Sequence, residues 1–248
     1  DFSGSAYIKV KAINGCGSSN WSSKLKVTVD PLPERPTQPD GITTRCQGLK
    51  TNTYTTTETA NATSYQWKVS PVEAVNDVSG STINGTIEWS QSYSGTAQIY
   101  VRGVNSCGIG EWSNSISVSI NPLPTKSAIP EGQTSLCQNI GNTEYTTTGA
   151  DYSNSYVWQL IPSDTAGSIT GNSKTGSVSW NEQYDGNAMV SVRGINDCGD
   201  GEWSDSLKIQ VKSLPDAPNK PTGESNICEN ASDKTYSINP VSEANDYE

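Results

Sequence analysis

Residues 97–120 read AQIYVRGVNSCGIGEWSNSISVSI, and this stretch decides the fold. Apolar and polar residues alternate on both sides of a Gly-rich segment, which is the pattern of two β-strands joined by a hairpin. The stretch recurs as AMVSVRGINDCGDGEWSDSLKIQV at 188–211 and as AYIKVKAINGCGSSNWSSKLKVTV at 6–29. The sequence therefore predicts one β-hairpin that is built three times.

The copies are separated by a constant 91 residues, without insertions or deletions. Five positions keep this step: Cys16/Cys107/Cys198, Cys46/Cys137/Cys228, Trp21/Trp112/Trp203, Leu32/Leu123/Leu214 and Tyr65/Tyr156/Tyr247. A repeat of this length is a whole small domain rather than one turn of a solenoid. The period predicts the C-terminal part of a repeat at 1–30, full repeats at 31–121 and 122–212, and the N-terminal part of another at 213–248. We expect the chain to be a window of a longer array.

Composition and strand spacing predict an all-β protein. Only 32% of the residues are hydrophobic, with one Phe and one Met, so the seven Trp and eleven Tyr must supply much of the bulky packing. No segment has a convincing helical period. Short apolar runs between Gly, Asn and Ser clusters predict tandem immunoglobulin-like sandwiches strung end to end, with Trp67 and Trp158 in the cores. In the first full repeat the predicted strands are 43–46, 53–57, 65–70, 86–90, 96–104 and 112–120.

Proline-rich segments form the start of each repeat, at 31–39, 122–130 and 215–221. Each proline fixes φ and disfavours helix in the residue before it. We interpret these segments as semi-rigid linkers between domains.

Charge and residue content exclude several function classes. The net charge of −10 and the pI near 4.5 argue against a nucleic-acid partner. No apolar run approaches the length of a membrane span. The chain has no histidine, so it lacks the usual catalytic base and the commonest metal ligand. We expect no catalytic residues, no metal site and no cofactor; acidic residues that could bind calcium at the linkers do not keep the repeat register.

Six cysteines in strict register favour disulfides and an oxidising, extracellular compartment. We predict bonds within each repeat, Cys46–Cys107 and Cys137–Cys198, because the first strand is expected to start at the same pole as the last hairpin loop. The alternative is a Cys107–Cys137 bond across the linker. Both pairings respect the period.

The pattern Asn-x-Cys-Gly-x-Gly-Glu-Trp-Ser is the most uniform part of the repeat, at 105–113 and 196–204. One interpretation is a ligand-binding loop in which Trp112 and Trp203 form aromatic platforms. The other is structural, with the glycines turning the hairpin while the tryptophan packs on the disulfide.

The first full repeat resembles the PKD-like and Ig-like tandem repeats of giant surface adhesins of gliding bacteria. The residues that carry this resemblance are Cys46, Tyr54-Thr-Thr-Thr, Tyr65-Gln-Trp67, Pro71, Gly80, Trp89, Gly95 and Val101-Arg-Gly-Val-Asn105-Ser-Cys107-Gly. The resemblance implies export by type IX secretion, a place on the cell surface and a part in a gliding-motility filament. It also implies O-glycosylation of Asp-Ser/Thr-apolar motifs, for which Thr165 and Ser206 are the candidates.

Two functions are compatible with these features. In the first, the repeats are a structural stalk that holds an adhesive tip away from the cell, and their partners are neighbouring repeats of the same chain. In the second, each repeat binds polysaccharide or another surface protein through the tryptophan loop, and many weak contacts add up. Uniform loops without insertions favour the stalk, because ligand sites usually diversify in loops.

Overall fold

The computed structural model describes residues 2–48 and 50–248. The chain separates into two compact units, Asp1–Pro122 and Leu123–Glu248, and each contains its own hydrophobic core. Helix in the described residues amounts to one 3-10 turn at Val72–Ala74, so no helix there is long and apolar enough to cross a membrane.

The first unit begins with an isolated hairpin and continues as a two-sheet sandwich. Its strands are β1 (Gly4–Ile8), β2 (Ile13–Asn14), β3 (Gly17–Ser18), β4 (Leu25–Val29), β5 (Thr44–Cys46), β6 (Thr51–Thr55), β7 (Ser64–Ser70), β8 (Val75–Ser79), β9 (Asn84–Trp89), β10 (Gly95–Asn105), β11 (Gly108–Ile109) and β12 (Ile116–Asn121). One sheet has the order β5–β12–β10–β7, and the other has the order β6–β9–β8. All neighbours are antiparallel except β5 and β12, which run parallel.

The second unit repeats this arrangement. Its strands are β13 (Ser135–Cys137), β14 (Asn142–Thr146), β15 (Ser155–Ile161), β16 (Gly167–Thr170), β17 (Thr175–Trp180), β18 (Gly186–Asn196), β19 (Gly199–Asp200) and β20 (Leu207–Lys212). The sheets are β13–β20–β18–β15 and β14–β17–β16, with β13 parallel to β20. The predicted all-β sandwich fold is confirmed.

All six predicted strands of the first full repeat are present, with shifted ends. The largest shift is at β12, which begins at Ile116 instead of residue 112. The two-residue strand β11 was not predicted, and neither was β8. A bulge between Val75 and Asp77 disrupts the alternation of β8, so its sequence does not have the period of two that marks a half-buried strand.

Each core forms where the two sheets face one another. Trp67 and Trp158 are buried, as predicted, and their indole N–H groups donate to the Thr82 and Ser173 carbonyls at 3.2 and 3.0 Å. The other main core positions also match between units; they are Tyr54/Tyr145, Trp89/Trp180, Ile99/Val190, Val101/Val192 and Val118/Ile209. The same interior is therefore built twice from similar side chains.

The interpretation of the proline-rich segments as linkers is wrong for the two full repeats. Pro33, Pro36 and Pro39 are buried, and so are the residues at 124, 127 and 130 in the second unit. Burial of every third residue matches a polyproline II strand, which has three residues per turn, lying with one face on the domain. The segment is an extended, docked part of the sandwich that precedes β5 or β13, and we call it the proline-rich strand.

Candidate functional site

The uniform loop follows β10, where the chain turns back into β11. The side chain of Asn105 organises this turn: its Oδ1 accepts from the backbone N–H groups of Cys107 and Gly108 at 2.9 and 3.1 Å. Its Nδ2 donates to the Pro31 and Asn61 carbonyls at 2.8 and 2.9 Å. The asparagine therefore binds the turn on one side and the start of the proline-rich strand on the other.

The second copy of the turn uses the same residue type in the same way. Asn196 Oδ1 accepts from the Cys198 N–H at 2.8 Å, and its Nδ2 donates to the Tyr152 carbonyl at 2.8 Å. Asn14 in the first hairpin makes the corresponding bond to the Cys16 N–H at 2.9 Å. The uniformity of this position is explained by turn formation.

Glycines in the loop allow the proline-rich strand to approach. A Cβ at Gly110 would lie 2.6 Å from the Pro33 carbonyl oxygen, and one at Gly201 would lie 2.8 Å from that of Pro124. Since real Cβ atoms do not come this close to backbone oxygen, only glycine allows the two segments to pack here. The loop pattern thus holds the proline-rich strand of its own domain.

Replacing Asn105 by alanine should destabilise the first unit by roughly 2 kcal/mol, since four hydrogen bonds of about 0.5–1.5 kcal/mol each are lost from a half-buried side chain. Asn105→Asp retains the acceptor for the turn but loses both donations, so it tests the two halves of the role separately. Urea denaturation followed by tryptophan fluorescence measures the change. Asn20→Ala, at an exposed side chain, is the control, and equal stability of the two variants would contradict this role.

Trp112 is half-buried, and cationic side chains lie over its ring. The Arg102 guanidinium carbon lies 4.3 Å from the ring centroid and Lys68 Nζ lies 4.8 Å from it, while Tyr100 meets the ring edge-on at 6.5 Å. Arg102 is fixed in turn by two hydrogen bonds to Gln66 Oε1, at 3.0 and 2.8 Å. The predicted platform is therefore a cation–π stack within the domain.

The stack recurs in a reduced form. The guanidinium carbon of Arg193 lies 4.7 Å from the Trp203 centroid, and Lys11 Nζ lies 5.4 Å from that of Trp21. Arg193 also pairs with the Asp200 carboxylate. A cation over the loop tryptophan, ten residues before it in the chain, thus accompanies all three copies. The sequence interpretation missed this pairing, although the outward position of Arg102 on β10 follows from the strand alternation.

Replacing Arg102 by glutamine should cost the first unit about 1–2 kcal/mol, because it removes the cation–π contact and two hydrogen bonds at a half-exposed site. Thermal unfolding measures this change. The matched control is Lys50→Gln, at an exposed lysine. The prediction fails if both substitutions shift the melting temperature equally.

The two cysteine classes lie at opposite ends of each domain. Of the strand cysteines, Cys46 and Cys137 end β5 and β13, and Cys228 is at the equivalent position by the period of 91. The turn cysteines (Cys16, Cys107, Cys198) follow the asparagine of the loop. Cys46 pairs with Asn121 on β12, and the residue before it, Ile120, pairs with the first residue of β10. Cys107 lies just beyond the last residue of β10. The two cysteines are therefore at opposite ends of β10. An eleven-residue strand spans about 35 Å at roughly 3.3 Å per residue.

The predicted bonds within repeats are therefore not the ones in the structure. A disulfide requires Cα atoms within about 7 Å, far less than the length of β10. Cys46 and Cys198 are disulfide-bonded, whereas the thiols of Cys107 and Cys137 are free and exposed, as are those of Cys16 and Cys228. The alternative Cys107–Cys137 pair is not formed either. The error came from placing the proline-rich strand outside the domain, since that strand carries the chain to the far pole before Cys46.

An arginine lies inside the first core beside two aromatic rings. Arg45 is buried, with its guanidinium carbon 4.9 Å from the Trp89 ring centroid, and burial lowers its pKa from the usual value. Burial raises the pKa of Tyr54 to about 12, partly offset by the positive charge of Arg45. The Tyr54 hydroxyl donates to the Ile42 carbonyl at 3.0 Å. All three side chains, Arg45, Tyr54 and Trp89, are buried in the core.

The two candidate glycosylation residues are exposed, Thr165 in a turn and Ser206 immediately before β20. Asp205, which precedes Ser206, pairs with Lys126 at 2.7 Å. Their modification remains a prediction, and the intact mass of secreted protein tests it. Among the described residues there is no group of three or more Cys, Asp or Glu side chains placed to hold a metal ion.

Comparison with known proteins places this architecture. The sequence matches the family model described as "PKD-like domain" over residues 32–118, 122–209 and 214–248. No curated protein is significantly similar in sequence. Similar solved structures include the FN1–FN3 domains of chicken CNTN1, with 14% identity, 82% of this chain and 74% of that chain covered, and a TM-score of 0.35.

Two further similar structures are the fibronectin(III)-like modules of CbhA from Clostridium thermocellum and a marsupial T cell receptor. The CbhA modules are 18% identical to this chain, the match covers 68% of this chain and 89% of the CbhA chain, and the TM-score is 0.30. The T cell receptor is 13% identical to this chain, the match covers 75% of this chain and 76% of the receptor chain, and the TM-score is 0.41. The three segments matched by the family model together span most of the sequence. The chain therefore belongs to the PKD-like domain family and consists of tandem repeats of that domain.

Proposed function

We propose that these repeats are structural stalk domains of a long extracellular adhesin or filament at a cell surface. The proposal rests on one observation: the most uniform residues of the loop make their contacts inside their own domain. Asn105 and Asn196 hold their turns, and Arg102 and Arg193 lie over Trp112 and Trp203. A ligand site would need such groups directed at solvent. The proposal gives the repeats no catalytic role.

The path of the chain through the first full repeat suits a part that bears tension. The proline-rich strand starts at the turn pole, where Pro31 meets Asn105, and it runs beside the last strand to the opposite pole. Force applied between residues 31 and 121 would load this pair of parallel segments in shear, so several hydrogen bonds must break together. These bonds are Arg35 Nε to the Trp112 carbonyl (2.8 Å), Gln38 Nε2 to the Ser115 carbonyl (2.7 Å), Ser119 N to the Thr43 carbonyl (2.8 Å) and Gln47 N to the Asn121 carbonyl (2.8 Å).

Single-molecule stretching of the reduced chain tests this function. Two discrete unfolding events are expected, one from each core, and each should release about 30 nm, since 91 extended residues span roughly 32 nm. Gln38→Ala should lower the force of one event, because it removes a bond between the sheared strands, while Lys50→Gln should leave both forces unchanged. A smooth extension without discrete events would overturn the load-bearing role.

The resemblance to repeats of gliding-bacterial adhesins supports a finer proposal. We infer that the array is exported by type IX secretion and is part of a gliding-motility filament, with neighbouring repeats as its partners. An antibody raised against residues 31–212 should label intact cells of the source organism. Labelling only after lysis would contradict an extracellular location.

A second candidate is a binding function through the tryptophan loop, which the partial exposure of Trp112 and Trp203 keeps open. Titration of the full chain with a panel of neutral polysaccharides, followed by tryptophan fluorescence, separates the two candidates. The stalk predicts no change. A signal that is lost in Trp112→Ala would instead support binding of saccharide by this loop.

A further inference from the structure

We propose that Cys137 forms a disulfide with the turn cysteine of the repeat that begins at residue 213, so that this joint is closed covalently. The partner is chemically a second copy of the same domain. The inference goes beyond the stalk function and does not depend on it, because it rests only on where the cysteines lie relative to the start of the next repeat.

The first residues of the next repeat lie beside Cys137. Cys137 is opposite Lys212 in the parallel pair of β13 and β20, and the Gln138 N–H donates to the Lys212 carbonyl at 2.8 Å. The side chain of Gln138 continues the contact, since its Oε1 accepts from the Leu214 N–H at 3.1 Å. Cys137 is therefore the chain neighbour of Gln138, and the Gln138 side chain holds Leu214 of the next repeat.

The same leucine position lies against the turn cysteine segment within its own repeat. A Cβ at Gly108, the residue after Cys107, would be 3.1 Å from Leu32 Cδ2, and a Cβ at Gly199 would be 3.4 Å from Leu123 Cδ2. Leu32 and Leu123 correspond to Leu214 by the period of 91. By this register, we expect the Leu214 side chain to pack against the glycine that follows the turn cysteine of its own repeat. The backbone N–H of Leu214 is held next to Cys137.

The oxidation states fit a bond between the two classes. The bonded cysteines are one strand cysteine, Cys46, and one turn cysteine, Cys198. A bond between the two classes within one repeat is excluded by the length of β10. For Cys137, the turn cysteine of the repeat that begins at residue 213 is the partner that the leucine contacts leave. The Cys137 thiol is free and exposed, so it is available for such a bond.

The bond forms by oxidation of the two thiols by a small-molecule disulfide such as oxidised glutathione. Two S–H bonds break and one S–S bond forms, while the two electrons and two protons reduce the glutathione disulfide to two thiols. In tension, such a bond would hold the end of one repeat to the loop of the next whether or not the polar contacts at the joint persist.

The test completes the third repeat. Glu248 corresponds to Val157 in register, so a copy of residues 158–212 is appended after Glu248, which adds a copy of Cys198. The chain is equilibrated in a glutathione redox buffer, its thiols are alkylated, and its peptides are mapped by mass spectrometry without reduction. The expected result is a peptide joining Cys137 to the appended cysteine. In the unextended chain, and in the extended chain with serine in place of the appended cysteine, Cys137 should be fully alkylated.

Two outcomes would overturn the proposal: Cys137 alkylated in the extended chain, or the appended cysteine bonded to Cys228. A second variant removes the dependence on folding of the added segment. Leu214→Cys in the unextended chain should bond Cys137 under the same conditions, whereas Ile227→Cys, at an exposed side chain, should not. Equal bonding of Cys137 by the two introduced cysteines, or bonding by neither, would show that Cys137 does not face the start of the next repeat.

Discussion

Replacing Gly176 by alanine is expected to destabilise the second unit by roughly 3 kcal/mol, near the upper end of the range for overpacked cores. The added Cβ would lie 2.4 Å from Trp158 Cδ2 and 2.8 Å from two further ring atoms. The indole cannot retreat easily, because it is buried and its N–H is bonded to the Ser173 carbonyl at 3.0 Å. Gly176 also pairs with Tyr145 on β14, the neighbouring strand of its own sheet, which restricts movement of β17.

The matched substitution in the first unit is Gly85→Ala, where a Cβ would lie 2.3 Å from Trp67 Cδ2. Gly15→Ala is the control, since a Cβ there would have no atom within 4 Å and its φ is not in the left-handed region. Urea denaturation monitored by tryptophan fluorescence measures the loss. If the steric argument is right, Trp158→Phe should reduce the additional cost of Gly176→Ala. A cost no larger than that of Gly15→Ala would show that the core yields at this point.

The strand alternation allowed the sandwich to be predicted because it is a local pattern that burial imposes directly. Ala97, Ile99 and Val101 were predicted to share one face of β10, and all three are fully buried. The same alternation places Arg102 on the outward face of β10. Its contact with Trp112 was not predicted, because it depends on how the chain returns after the turn, which the alternation does not specify.

The proline-rich strand shows why the cysteine pairing could not be predicted. Polyproline II has no internal hydrogen bonds, so a spacer and a docked strand have the same local sequence features. The difference lies in the partners of Pro33, Pro36 and Pro39, which are distant in sequence. Reading this segment as a linker placed Cys46 at the wrong pole, and the predicted bond to Cys107 followed from that placement.

Stability of both units should fall steeply in alkaline solution. Burial raises the pKa of Tyr54 to about 12, with Arg45 opposing the shift, and burial also raises the pKa of Tyr145. A folded-state pKa above the unfolded value favours the protonated hydroxyl. The stabilisation is therefore complete below pH 10 and is lost as the pH rises toward 12. For Tyr54 alone, the loss amounts to about 3 kcal/mol over that interval, at about 1.4 kcal/mol per pH unit.

Denaturation curves from pH 8 to pH 12 test this dependence. Tyr54→Phe should lower stability at pH 8 by about 1 kcal/mol, because the bond to the Ile42 carbonyl is lost, but it should flatten the alkaline decline of the first unit. Adding Tyr145→Phe should flatten the decline of the second unit, whereas Tyr152→Phe, at an exposed ring, should change neither. An undiminished decline in the double variant would mean that the alkaline sensitivity arises outside the two buried tyrosines. Removing the phenolic proton is costly at both tyrosines because it would leave a negative charge buried in the core. It would also remove the hydrogen bond that each hydroxyl donates to a backbone carbonyl, that of Ile42 for Tyr54 and that of Gln133 for Tyr145.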